Sequence, residues 1–243
     1  MDFWSVYPVG KGYALFSTPH LIWLAVFVLS AFGMVFFYRR GSPARRRRME
    51  LGTGALLLLL EAGRVLILVA EGQMEMGWLP LHFCGISIFL EAIYAFRRER
   101  PSYWGDILYA TCMPGAFLAL LTPDWTNYAP FGFLSCAGFL IHTLLVCFPL
   151  MLTLGGEIRP NARNLPKCLL FLAVLALPMF FFDKATHMNF MFLNWPSPGS
   201  PLEWFAALGS PGYLLGFLPL TAAIWLLLYL PLHLLRRKAA SKA

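Results

Sequence analysis

Seven runs of apolar residues recur along the chain, each near the roughly 20 positions that the hydrocarbon core of a bilayer requires. They cover about 18–38, 50–70, 79–96, 103–121, 130–153, 165–182 and 212–234, and each predicts a transmembrane helix. Short polar or Pro- and Gly-bearing links separate most of them. The long exception is 183–211, which holds Pro196, Pro198, Pro201, Pro211, Gly199 and Gly209. Backbone polar groups in lipid must be satisfied within the protein, so the pattern predicts an all-α polytopic membrane protein forming a single transmembrane domain over 1–243. The ten-residue alternating segments of an outer-membrane barrel do not occur. The first run is too long for a signal peptide and lacks a basic flank and a cleavage site, so it predicts a retained helix.

Composition narrows the class further. Hydrophobic residues make up 59% of the 243 and charged residues 13%, against about 45–50% and about 25% in soluble domains. An ordinary water-soluble enzyme, a disordered chain and a small disulfide scaffold are thereby excluded. The net charge of +7 could signal nucleic acid or anionic lipid, so its distribution decides. Arg39, Arg40 and Arg45 to Arg48 lie between the first two helices, and Arg97, Arg98 and Arg100 between the third and fourth. Arg159, Arg163 and Lys167 lie between the fifth and sixth, and Arg236, Arg237, Lys238 and Lys242 follow the seventh. These are 16 of the 19 basic residues, with only Lys11 and Lys184 on the other side. The positive-inside rule then sets the N-terminus outside and the C-terminus in the cytoplasm. The basic excess reads as topology, not as nucleic-acid binding, with anionic head groups as a second use for the 39–48 loop.

All five cysteines, Cys84, Cys112, Cys136, Cys147 and Cys168, fall within predicted helices, which argues against disulfides and favours apolar packing. Arg64 is the only basic residue inside a span, and Glu61 precedes it by three positions, on the same helix face. Each charge alone would cost about 2.5–3.5 kcal/mol at mid-bilayer. Two readings stand: a buried structural ion pair, or the wall of a polar cavity.

At about 1.5 Å per residue, Glu61 lies about 17 Å from the inner end of its helix, Arg64 about 21 Å, and Cys84 about 18 Å. His142 falls at a similar depth on the fifth helix. Cys84, Ser87 and Glu91 follow one helical row, and Ser135, Gly138 and His142 another. A Cys and a His in one layer are what nucleophilic catalysis needs, because the base removes the thiol proton and the imidazolium then stabilises the thiolate. His82, two residues from Cys84, would point to nearly the opposite face if that stretch is helical. No metal and no cofactor is expected: paired-His spacing on a late helix is absent, although His20, His82 and His187 share the outer side.

The segment Leu79-Pro80-Leu81-His82-Phe83-Cys84-Gly85-Ile86-Ser87 resembles the signature of the bacterial YwaF-type integral membrane proteins, and the outer segment Asn189-Phe190-Met191-Phe192-Leu193 is similar to theirs. After Leu193 the pattern departs, with Asn194-Trp195-Pro196-Ser197-Pro198 in its place. The resemblance covers essentially the whole chain in helix count and orientation, and it implies the cytoplasmic membrane of a bacterium. It also implies lipid chemistry, because these proteins look related to a eukaryotic membrane acyltransferase with a Cys nucleophile and a His base. Cys84 and His142 match those two positions. The architecture is also similar, more distantly, to androgen-induced lipid hydrolases.

The expected activity is that of a lipid acyltransferase or lipid ester hydrolase, in which Cys84 takes the acyl group of a membrane lipid as a thioester, His142 is the base, and a lysophospholipid or water then accepts the group. Arg64 and Ser87 are the expected oxyanion donors, and Glu61 either orients His142 or pairs with Arg64. The outer loop reads as an interfacial aromatic layer, or as a lid presenting Asn189 and Asn194 to the cavity. A different class stays open: Glu61, Arg64, Glu91 and His142 could instead carry a proton or a small solute.

Overall fold

A computed structural model describes residues 3–8 and 12–240, with backbone alone for 235–240. Lys11 and Lys242, and the side chains of Arg236, Arg237 and Lys238, therefore lie outside the described residues. Among those described there is no strand, and seven helical segments are long and apolar enough to cross a membrane. The protein is an all-α membrane protein. The chain divides into two compact units, 1–159 and 160–243.

In the first unit, helix α1 (Thr18–Arg39) turns within three residues into α2 (Pro43–Ala70). This second helix begins seven residues before the start at 50 that hydropathy predicts. Ser42 caps it, accepting from the Arg45 backbone N–H, and Pro43 fits its first turn because the missing N–H has no helical partner there. Arg45 to Arg48 are thus helical rather than part of a loop. Helix α3 (Phe83–Phe96) follows an irregular stretch. The fourth span is composite: α4 (Ser102–Ile107), a π-turn over Leu108–Cys112, then α5 (Met113–Leu121). Pro114, which has no N–H to donate, stands just after the widened turn. Helix α6 (Phe133–Gly155) ends at Gly156, whose φ of +92° suits glycine.

Helix α6 is the centre of this unit and packs against α1, α2, α3, α5 and the π-turn. Trp23 of α1 stacks on Phe139 of α6 at 5.0 Å and 7°. His20 clamps the start of α1: its Nδ1 accepts from the Phe16 N–H, so Nε2 must donate, and it does so to the Leu120 carbonyl at 2.8 Å. At the other end, basic residues tie three links together. Arg46 donates to the Gly155 carbonyl and pairs with Glu157, while Arg47 donates to the Ala95 and Phe96 carbonyls. Buried Glu50 accepts from Tyr38, Arg47 and Arg100. The three links that the charge pattern assigned to one side therefore meet at one end of the bundle.

The second unit holds α7 (Leu165–Thr186), α8 (Phe217–Ala240) and the loop between them. The loop is built by its own polar side chains. Asp183, fully buried, accepts from the Phe190 N–H at 3.0 Å. Asn189 Oδ1 accepts from the N–H groups of Asn194 and Trp195, and Asn194 Nδ2 donates to the Asp183 and Met188 carbonyls. Tyr213 closes the far side by donating to the Phe192 carbonyl. These bonds hold His187, Met191 and Phe192 at φ near +55°, a conformation that costs non-glycine residues energy.

Candidate functional site

The surroundings of Cys84 begin with the length of α3. Fourteen residues reach only about 21 Å, short of the roughly 30 Å hydrocarbon core. The span is completed by a short 3₁₀ turn, Met76–Trp78, and a bent segment through Leu79, Pro80 and Leu81 to His82. Irregular backbone at such depth persists only where protein or a cavity covers it. Pro80 lies directly over Gly85, and an added Cβ there would come within 2.7 Å of the Pro80 carbonyl oxygen. The Leu79–Gly85 signature is thus a tight fold of chain that delivers Cys84 to the first turn of a helix. No side chain caps that helix, so the backbone N–H groups of Phe83, Cys84 and Gly85 lack intrahelical acceptors.

His82 requires a correction. It is the residue before α3, with ψ of 151°, and is not helical. The expectation that it points away from Cys84, which assumed helical geometry, does not apply. His82 and His142 lie close enough to act on each other electrostatically.

Glu61 and Arg64 form a bidentate pair. Arg64 Nε donates to Glu61 Oε2 at 3.0 Å, and Nη2 donates to Glu61 Oε1. Nη2 also donates to the Trp78 carbonyl at 3.0 Å, and the guanidinium sits 5.5 Å over the Trp78 ring. The pair therefore braces the 3₁₀ turn that leads into the Cys84 segment. Ser87 spends its single O–H on the Phe83 carbonyl at 2.8 Å, so of the two expected oxyanion donors one is engaged outright and the other braces a turn. Glu91, one turn further along α3, is fully buried, and neither of its carboxyl oxygens has a hydrogen-bond partner among the described residues.

His142 Nδ1 lies 2.7 Å from the Gly138 carbonyl oxygen. A carbonyl only accepts, so Nδ1 is the protonated nitrogen and Nε2 keeps its lone pair. No hydrogen bond joins His142 to Cys84 among the described residues. The imidazole stacks on Trp125 at 4.8 Å and 25°.

Trp125 and its neighbour Asp124 belong to the loop 122–132, which sequence reasoning passed over. The Asp124 carboxylate is near enough to act electrostatically on His82, Cys84 and His142. It also raises the Tyr13 and Tyr128 phenols beyond their ordinary range, secondarily to burial at Tyr13 and after burial and Glu75 at Tyr128. Backbone contacts hold the loop: Tyr13 N–H donates to the Thr126 carbonyl at 2.9 Å, and Gly12 sits so close that a Cβ would overlap that oxygen. The available signal was an acid beside a tryptophan in a short link between two spans. Within the first unit the loop 122–132 thus lays Trp125 on His142 and sets the Asp124 carboxylate within electrostatic reach of His82, Cys84 and His142.

Comparison with known families bears on this arrangement, since the sequence model of the TMEM164 family matches residues 15–229. The chain belongs to the TMEM164 family. The match takes in all the described spans of the first unit and most of the second, so the Cys84 segment, the 122–132 loop and His142 all lie inside the family region. No curated protein and no solved structure matches the chain.

Proposed function

We propose that this TMEM164-family chain is a membrane-embedded lipid acyltransferase or lipid ester hydrolase, with Cys84 as nucleophile and His142 as its base. The observation that carries this reading is the tautomer of His142. Its Nδ1 proton is held by Gly138, so Nε2 is the nitrogen ready to take a proton. The resemblance of the Leu79–Ser87 segment to YwaF-type proteins, and through them to a Cys/His membrane acyltransferase, supports the same chemistry.

In the proposed reaction the Cys84 thiol proton passes to His142 Nε2 as sulfur bonds to the ester carbonyl carbon. The tetrahedral carbon expels the lyso-lipid oxygen, which takes the proton from Nε2 and leaves as a hydroxyl. Water or an acceptor hydroxyl then attacks the thioester and gives its proton to Nε2. That proton returns to sulfur as the C–S bond breaks. The Asp124 carboxylate favours the imidazolium formed twice along this path, an attraction that its exposure to solvent moderates. The basic end of the bundle would face the cytoplasm of a bacterial membrane, beside anionic head groups.

The test is the mass of the intact protein after incubation with an ester phospholipid in nanodiscs. Wild-type protein should gain one acyl group, and Cys84→Ala should gain none and leave lipid acyl composition unchanged. Wild-type protein that never acquires the adduct would sink the reading. Glu91, buried without a partner, favours a second one: a proton or small-solute path through the first unit. Ion-dependent flux into vesicles that survives Cys84→Ser would favour it.

A further inference from the structure

We propose that the Trp125 indole N–H is the donor that binds the carbonyl oxygen of a neutral ester lipid at this site; as a catalytic assignment this rests on the thioester reading above, but as a binding assignment it stands alone. Trp125 Nε1 is sealed from solvent and has no hydrogen-bond partner among the described residues. A buried donor left unpaired costs roughly 1–3 kcal/mol, so proteins seldom keep one unless a ligand or water completes it.

The donor is also rigidly placed. The indole stacks on His142 and meets Phe139 edge-on at 5.4 Å and 77°. Its approach depends on Gly138, where an added Cβ would stand 3.0 Å from Trp125 Cε2 and 3.2 Å from Nε1. The same glycine therefore fixes the imidazole through its carbonyl and admits the indole through its missing side chain. One turn back on the same helix, the buried Ser135 hydroxyl likewise has no partner. The two side chains expected to serve as donors are engaged, Ser87 with Phe83 and Arg64 with Glu61 and Trp78, which leaves the first-turn N–H groups of α3 as the other donors near Cys84.

Charge selects the ligand class. Arg64, which acts on His82 and His142, is neutralised by Glu61, and the solvent-exposed Asp124 beside Trp125 is an anion. A phosphate or free carboxylate therefore finds no net attraction here, whereas a neutral ester carbonyl needs none. An uncharged N–H held beside the base is also the kind of donor that strengthens its bond as negative charge develops on the carbonyl oxygen.

The experiment compares two phosphatidylcholine analogues in nanodiscs, bound to the Cys84→Ala protein. One carries a ketone in place of an acyl ester, and the other is the matched ether without a carbonyl. The ketone should bind about 5–10-fold more tightly, the worth of one buried hydrogen bond. That preference should fall within about twofold in the Trp125→Phe variant, which keeps the ring stack and loses the N–H. Gly138→Ala, which displaces the indole, should do the same. A ketone preference unchanged in Trp125→Phe, or absent from the starting protein, overturns the assignment. In parallel, Cys84 acylation of the otherwise wild-type protein should slow about 10–100-fold in Trp125→Phe. Ketone preference without any acylation would leave a carbonyl-binding site and reject the thioester reading alone.

Discussion

At the scale of single residues, the site is organised by groups whose hydrogen bonds are already assigned and a few whose bonds are not. His142 and Ser87 each give a proton to a backbone carbonyl on their own helix. Arg64 is more extended, since it links Glu61 to the Trp78 carbonyl and so connects α2 to the turn before Cys84. A lysine offers one ammonium in place of a planar fork and cannot hold all three acceptors. Arg64→Lys should therefore loosen that turn and speed Cys84 modification by a membrane-permeant maleimide about fivefold, as expected from the net loss of about 1 kcal/mol in one hydrogen bond. An unchanged labelling rate would show that the pair does not brace the segment.

Between elements, small residues decide how closely helices approach. Gly54 of α2 faces α3, and an added Cβ would lie 2.8 Å from the Ala95 Cβ, which belongs to a rigid helix and cannot swing away. Gly52, two residues earlier, has open space around it. Gly54→Val should cost about 1–3 kcal/mol through overpacking, while Gly52→Val should leave stability nearly unchanged. Reversible unfolding in mixed micelles would measure both, and equal effects would contradict this account of the crossing. The two glycines look alike along the sequence, and only the partner helix separates them.

For the whole molecule, the charge pattern predicts direction. The α1–α2 turn lies at the end of α1 remote from the loop 122–132, because His20 ties the start of α1 to Leu120 at the end of α5. With the basic end inside, an Asn127→Cys variant should react with an impermeant thiol reagent on intact cells. Ser42→Cys should react only after permeabilisation. The opposite pattern would reverse the proposed orientation. Both positions are exposed in the folded chain, so accessibility to the reagent reports the side of the membrane.

Much of this molecule was legible in its sequence because membrane insertion is a local, additive property. The seven spans, the meeting of the three basic links of the first unit at one end and the Glu61–Arg64 pair all followed from hydropathy, charge and helical spacing. Boundaries were less secure where polar residues can also be helical. The Arg45–Arg48 run belongs to α2, since Ser42 and Pro43 start a helix whatever the charge of its first turn.

Tertiary structure decided the rest. The irregular chain before α3 keeps His82 out of a helix, and the loop 122–132 carries Asp124 and Trp125 to the site. Neither follows from periodicity: the first rests on the close approach of Pro80 to Gly85, and the second on Gly12 against the Thr126 carbonyl and Gly138 against the Trp125 ring. In the second unit, Asn189 and Asn194 turn out to be bonded to the backbone of their own loop, a role that depends on carbonyl positions and not on residue type. The sequence alone determined which segments enter the membrane, since each does so on its own composition. Which side chains meet there was decided by the packing of helices on α6, because contact between distant residues is a property of the folded chain as a whole.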